Sequence, residues 1–379
     1  MSNFKFEERP YQREAVDKTL SLFDSGAESV LIESPVGSGK TVMALMIVQE
    51  LQRRAPLRVN YVAWRKHILD QMDRLNAEHF HCDVVPVSMF CSNPPRADLM
   101  ILDEAHHEAT KSCLKMYERT RNRLTLGLSA TPVRTDRMRL SFQHNVHCCN
   151  IQRLINTGVL SSYHSYKIPE WSVETVSRIF TQQPKHWGKS LVFLNTIAEC
   201  RRFQAHLAKE GVPCEVVTGK SDKDRQLELF INGNLPVIAN VSVLTEGFDL
   251  PELSSVFIRD ASRDPTIQMG GRVLRRAPGK EFCNIVQSEQ TTCPFEKVAK
   301  PAEGFRYHRD KWLSCSGKSK IIADMVAYTL NLRKNRPEIR LPHYIDASPH
   351  KIYVSLRNAG VRNFLTPERK LYEEIMSQL

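Results

Sequence analysis

Lys40, Asp103 and Glu104 are the residues whose types and surroundings point most directly at chemistry. Lys40 lies near the end of the run Glu33-Ser34-Pro35-Val36-Gly37-Ser38-Gly39-Lys40-Thr41, which follows the apolar stretch Ser29-Val30-Leu31-Ile32 and precedes Val42-Met43-Ala44-Leu45-Met46-Ile47-Val48. That order reads as a strand, a tight glycine-bearing loop and a helix. Gly37 and Gly39 admit backbone angles closed to other residues, so successive N–H groups around Ser38 and the start of the helix can converge on one anion. Lys40 then reaches the terminal phosphates, and the Thr41 hydroxyl helps hold a magnesium ion. The strict pattern asks for glycine where Ser34 stands, and Gly-Lys-Thr alone also fits an ordinary turn. The strand before it and the helix after it favour the phosphate cradle.

The carboxylates come from Asp98-Leu99-Met100-Ile101-Leu102-Asp103-Glu104-Ala105-His106-His107, a buried apolar strand that delivers both at its C-terminal end, the rim where parallel sheets bind ligands. Asp103 suits magnesium, and Glu104 suits orienting and deprotonating the water that attacks a γ-phosphate. A zinc-protease reading fails because Lys111 stands where the pair His107-Glu108 would need a second histidine. Gln12, in the opening of an amphipathic helix carrying Ala15, Val16, Leu20 and Phe23, has an amide able to read a nucleotide base, though without the later motifs a surface helix is the better explanation. Arg65 and Lys66 follow the strand Leu57 to Trp64 and are candidates for phosphate contacts or simply solvated charges at a helix start. Arg272 and Arg275 are expected to share one helix face, where they serve either as structural partners of carboxylates or as arginine fingers on a transition-state phosphate.

The chain that positions these groups has 379 residues, 41% apolar and 25% charged, enough for two or three domains without repeats or low-complexity tracts. A first alternation of strand and helix ends near Gly158. The stretch Leu160 to Tyr166 reads as a crossover, and alternation resumes at Leu191-Val192-Phe193-Leu194, then through Cys214 to Val217, Pro236 to Val241 and Ser255 to Ile258. Two parallel α/β sheets follow from that pattern, the second lacking a phosphate loop of its own. No apolar run is long enough for a bilayer and no signal core opens the chain, which is the expectation for an intracellular, cytoplasmic or nucleoid-associated protein, in the host cell if viral. Ten cysteines without a Cys-x-x-Cys pair read as reduced thiols, and Cys283, Cys293, His308 and Cys315 lack the close pairs of a zinc site. The net charge of +11 suggests a polyanionic partner. Residues 292–379 carry 16 Lys plus Arg against 9 Asp plus Glu, a basic region that is either a docking surface or a solvated one.

Taken together, these stretches resemble the superfamily 2 helicases and translocases of the DEAH-box type over residues 9 to about 287. The resemblance implies that Gln12 reads adenine, that Gly37, Ser38, Gly39, Lys40 and Thr41 form motif I, and that Asp103-Glu104-Ala105-His106 is motif II. It makes Ser129-Ala130-Thr131 motif III, Phe193 to Thr196 motif IV, Thr245 to Asp249 motif V and Gln268 to Arg275 motif VI. Lys40, Glu104, Gln268, Arg272 and Arg275 would then be catalytic, Gly247 and Asp249 would join the nucleotide site, and Thr41 and Asp103 would hold the metal. Arg65, Lys66, Thr196 and Thr245 would touch nucleic acid, although Trp64-Arg65-Lys66 departs from the family's threonine-arginine type sequence. The implied fold is α/β, two recA-like parallel-sheet domains in tandem (1–158 and 159–287) with a small, basic, mainly helical appendage (288–379), helices being expected over Lys318 to Arg333 and Pro367 to Leu379. The implied function is an ATP- and Mg2+-dependent motor acting as a monomer on DNA rather than RNA, reminiscent of compact viral or bacterial repair and branch-migration helicases. RNA remodelling and an ATP-switched nucleic-acid clamp are the alternatives.

Overall fold

The computed structural model describes residues 8–108, 110–131, 138–244, 250–308 and 310–314. A first sheet is built from β1 (Ser29–Glu33), β2 (Val59–Ala63), β3 (Val84–Ser88), β4 (Leu99–Asp103), β5 (Leu124–Ser129) and β6 (His144–His147), in the spatial order β3-β2-β4-β5-β1-β6. Every pairing in it is parallel. Residues of β2 and β4 are buried along their whole length, because helices cover both faces of such a sheet. The two strands bearing the phosphate loop and the carboxylates, β1 and β4, flank β5, so both chemistries reach the same rim.

A second sheet takes β7 (Ser162–Ile168), β8 (Ser190–Phe193), β9 (Cys214–Val217), β10 (Val237–Asn240), β11 (Ser255–Ile258), β12 (Phe282–Ser288), β13 (Glu303–His308) and β14 (Lys311–Ser314), ordered β14-β13-β7-β12-β11-β8-β10-β9. The stretch read as a crossover is thus mostly strand: β7 pairs in parallel with both β12 and β13. Only β14, antiparallel to β13, breaks the parallel pattern. One apolar cluster joins Val16, Ile32, Met43 and Leu160 to Phe193, Ile258 and Met269, and a second fills the outer face of the second sheet around Trp187, Phe203 and Phe257.

The appendage expected to be helical begins otherwise. Residues 303–314 extend the second sheet as β13 and β14, and the expected boundary at 287 cuts through β12. The physical reason is aromatic packing: the Tyr166 and Phe305 rings stack at 4.8 Å, and Trp312 meets Tyr166, Tyr307 and Trp187 at 4.9, 5.0 and 5.8 Å. The helices expected over Lys318 to Arg333 and Pro367 to Leu379 lie outside the described residues. Among the described residues, no helix is long and apolar enough to cross a membrane and no group of three His, Cys, Asp or Glu could hold a metal ion.

Candidate active site

The phosphate loop leaves β1 tied to its neighbour, with Ser34 N–H donating to the Ser129 carbonyl of β5 at 2.8 Å. The Ser34 hydroxyl, fully buried, donates to Ser38 Oγ at 2.6 Å, and that hydroxyl donates on to the Pro35 carbonyl at 2.7 Å. The residue that breaks the strict glycine pattern therefore latches the loop. Gly37 and Gly39 have φ of 81° and 86°, and Gly39 is the N-cap of the helix Lys40–Arg54. A Cβ on Gly39 would come within 2.4 Å of Gln12 Nε2, and one on Gly37 within 2.9 Å of Leu160 Cδ2. Both glycines are required by angle and by space. The first N–H groups of that helix have no partner within it and point where an anion would sit.

Gln12 is buried directly beneath this loop. Its Nε2 donates to the Ser38 carbonyl at 2.9 Å, its Oε1 accepts from Arg9 N–H at 3.1 Å, and the Tyr11 hydroxyl donates to the same Ser38 carbonyl at 2.9 Å. Both ends of the amide are thus engaged by protein here, and the residue expected to read adenine also braces the loop.

Asp103 stands at the end of β4, 5% exposed, and accepts from the Tyr61 hydroxyl at 2.6 Å and from Glu104 N–H at 2.8 Å. Burial, then repulsion from Glu104, push its carboxyl up to about 6, while Lys40 pulls the other way. Tyr61 is driven well above the usual phenol range by burial and by Asp103. Its oxygen also lies 3.5 Å from Thr41 Oγ1, so one phenol on β2 sits between the two oxygens expected to hold magnesium. A single hydroxyl proton cannot serve both, and the 2.6 Å contact takes it. Thr41 and Asp103 offer oxygens suited to a hard divalent cation, and Tyr61, a neutral phenol between them, positions the Asp103 carboxylate. Tyr61 was not singled out from sequence. Its only local signal is a polar ring within an apolar strand.

Glu104 adopts a left-handed backbone, φ 51°, which turns the chain sharply after β4. Its Oε2 lies 3.5 Å from His106 Nδ1, and that nitrogen lies 3.4 Å from Ser129 Oγ, which in turn accepts from Thr131 N–H at 3.2 Å. Motif II and the segment after β5 are thus one polar network.

Across the cleft, the arrangement of the arginines differs from expectation. The helix Arg263–Gly271 stops before them: Arg272 is its C-cap, and Arg275 lies beyond a turn in an antiparallel bridge to Leu160. They do not share a helix face. Gly270 lies where a side chain is excluded, since a Cβ would meet the Phe295 ring at 2.3 Å, and Gly271 packs tightly, a Cβ there lying 3.2 Å from Val36 Cβ, so two residues of low helix propensity end the helix. Arg275 nevertheless faces the phosphate loop, its Cγ 3.9 Å from where a Gly37 Cβ would be, and burial lowers its guanidinium to about 10, still cationic at neutral pH. Arg272 is 6% exposed, and Gln268 is half-buried on the helix itself. The turn is held by Lys280, also missed from sequence, whose Nζ donates to the carbonyls of Val273, Arg275 and Pro251 at 2.5, 2.7 and 2.9 Å. Burial brings that ammonium down to about 8.

Of the expected nucleic-acid contacts, Lys66 is exposed at the start of the helix Lys66–Leu75, whereas Arg65 is half-buried near the cleft. There its charge, with that of Arg272, depresses both His67 and Lys223, although burial is the larger cause in each. Thr196 is exposed but caps the helix Ile197–Lys209, accepting from Glu199 N–H at 3.1 Å. Thr245, Gly247 and Asp249 lie outside the described residues.

Residues 5–86 match the family described as "Type III restriction enzyme, res subunit", and residues 171–277 match the "Helicase conserved C-terminal domain". The chain is similar to the Schizosaccharomyces pombe protein named "Putative mitochondrial ATP-dependent helicase irc3", 24% identical over 348 residues that cover 75% of this chain and 57% of that one. It spans about half the length of the curated relatives it matches first. Among solved structures it resembles the ATP-dependent Type ISP restriction-modification enzyme LlaBIII bound to DNA, with a TM-score of 0.58 and 17% identity over 79% of this chain and 29% of that one. It also resembles Saccharomyces cerevisiae Dbp5 bound to RNA and ADP BeF3, with a TM-score of 0.55 and 14% identity over 86% of this chain and 99% of that one. The two family matches, the helicase relatives and the order of the phosphate, carboxylate and arginine segments together support a superfamily 2 helicase.

Proposed function

We propose that this chain is an ATP-driven motor that moves along or remodels nucleic acid, DNA in preference to RNA, with two lobes at 1–158 and 159–287. The observation that carries the reading is the meeting of Gly37 with Leu160 and Arg275, which puts the cationic turn of one lobe over the phosphate loop of the other. Lys40 and the loop amides bind the phosphates, and Gln12 is the residue to reach the base once the Ser38 carbonyl releases it. Thr41 and Asp103 would hold magnesium, which supplies neutralisation of phosphate charge. Glu104, oriented by His106, takes a proton from the attacking water and holds it at a carboxylate oxygen. Arg272, Arg275 and Gln268 answer to the γ-phosphate: its presence favours closure and its loss favours opening. Gly247 and Asp249, outside the described residues, are proposed for the nucleotide site on the motif resemblance alone.

Arg65, Lys66, Thr196 and Thr245 are the proposed contacts to the strand, gripping mainly sugar and phosphate, so affinity falls steeply with salt and sequence preference is weak. DNA is favoured because LlaBIII, which shares this fold, is seen bound to it. RNA remodelling is the second reading, favoured by the likeness to Dbp5 over nearly that whole chain. ATP-dependent strand displacement on matched DNA and RNA forks tests the assignment. Displacement of the DNA fork with little on RNA is expected, the reverse selects the second reading, and ATP-independent binding without displacement of either would overturn both.

A further inference from the structure

Three neighbouring strand ends deliver a line of rings, of which only His106 enters the nucleotide chemistry above and none enters the phosphate contacts. Phe90 follows β3, Trp64 follows β2, and His106 and His107 follow β4, in the order in which those strands pair. Phe90 is 67% exposed. Its ring meets Trp64 edge-on at 5.4 Å, Trp64 meets His107 at 5.3 Å, and the His107 and His106 rings are 4.2 Å apart. His106 Nδ1 is the group 3.5 Å from Glu104 Oε2. The line therefore runs from solvent at the edge of the sheet to the proposed general base.

The exposed end is held rigidly. Met89 N–H donates to the Ala63 carbonyl and Cys91 N–H to the Ser88 carbonyl, each at 2.9 Å, and Arg119 Nη1 donates to the Cys91 carbonyl at 3.1 Å. Such a turn fixes Phe90 outward on the rim that carries Arg65 and Lys66. Trp64 beneath it packs against the apolar cluster around Val62, Met89 and Leu102, and its indole Nε1 is buried with no hydrogen-bond partner among the described residues. A phenyl ring there would strand no donor, so the indole offers a larger apolar face together with one buried, unpartnered N–H.

We propose that Phe90 and Trp64 form a stacking platform for an unpaired base of a single-stranded segment, whose phosphates lie on Arg65 and Lys66, and that occupancy of the platform orients Glu104 through His107 and His106. The proposal rests on the nucleic-acid reading above and deepens it. Bases inside a duplex are already stacked, so the partner is single-stranded, and an aromatic face accepts any base.

The test compares a fluorescent single-stranded oligothymidylate with an abasic strand of the same length and backbone, using wild-type protein, Phe90→Ala and Phe90→Tyr. Phe90→Ala is expected to weaken the base-bearing strand about 5- to 10-fold and to leave the abasic strand unchanged, with Phe90→Tyr restoring affinity. At saturating strand, wild-type ATP hydrolysis should be stimulated more by the base-bearing strand than by the abasic one. Equal losses on both strands, no loss on either, or equal stimulation by both would overturn the platform. Wild-type protein that binds neither strand would instead overturn the motor reading itself.

Discussion

Replacing Asp103 by asparagine should stabilise the nucleotide-free protein while destroying its activity. Asp103 is enclosed by β4 and Tyr61, and burial together with the adjacent Glu104 raises its carboxyl from 3.8 to about 6. A rise of roughly 2 units corresponds to about 3 kcal/mol between the protonated and ionised forms. Because the folded-state value is the higher one, this carboxyl's contribution is fully present below about pH 4. It is lost as pH climbs through about 6, and the full cost is carried at neutrality. Asparagine keeps the shape and carries no charge to bury; its one carbonyl oxygen still accepts from Tyr61, while the amide that replaces the other oxygen no longer accepts from Glu104 N–H, which offsets part of the gain. Urea unfolding at a series of pH values reads the effect: Asp103→Asn should gain about 1–2 kcal/mol over wild type at pH 7.5 and lose about 1 kcal/mol near pH 4, where only the missing bond from Glu104 N–H counts. A gain of equal size at both pH values, or a loss at pH 7.5, would refute the account of Asp103 as a charge held at a thermodynamic cost for the sake of the phosphate site.

Tyr61→Phe removes the hydrogen bond that holds the Asp103 carboxyl down, so the acidic limb of the ATPase pH profile should move up by as much as about 1 unit. Lys280→Met strands the carbonyls of Val273, Arg275 and Pro251, and should cost about 2 kcal/mol in unfolding experiments as well as slowing ATP turnover. Gly39→Ala places a Cβ against Gln12 at a φ of 86°. It should lose nucleotide binding in a titration with a fluorescent ATP analogue and about 1–2 kcal/mol of stability.

The parts of the site legible in sequence are those whose meaning is local. Gly37 to Thr41 and Asp103 to Glu104 each sit within one strand-and-turn unit, so spacing alone carries their chemistry. Tyr61 and Lys280 are different, because each acquires its role from a neighbour far along the chain. Tyr61 works because β2 pairs with β4 in a register that sets the phenol beside Asp103. Lys280 resembles any surface lysine until the chain folds it over three carbonyls. Helical spacing of Arg272 and Arg275 would have to run on through Gly270-Gly271, two residues of low helix propensity at which the helix ends. In β13, the alternation of Phe305 and Tyr307 with polar residues carried a strand signal, masked by the basic composition of the region around it. On that rim Trp64 was legible only as a departure from the family's usual residues, and Phe90 carried no sequence signal, because its place beside Trp64 comes from the pairing of β2 with β3.

The central claim, that polymer and ATP chemistry are coupled in one two-lobed motor, is tested most directly by steady-state ATP hydrolysis. The rate is measured without polymer and with single-stranded DNA, duplex DNA, branched DNA or RNA at one salt concentration, for wild-type protein beside Glu104→Gln. Stimulation of the wild-type rate by a DNA, and a fall of about 100- to 10,000-fold in the stimulated rate for Glu104→Gln, are the predicted results. A wild-type rate indifferent to every polymer, or a Glu104→Gln rate equal to wild type, would contradict the account.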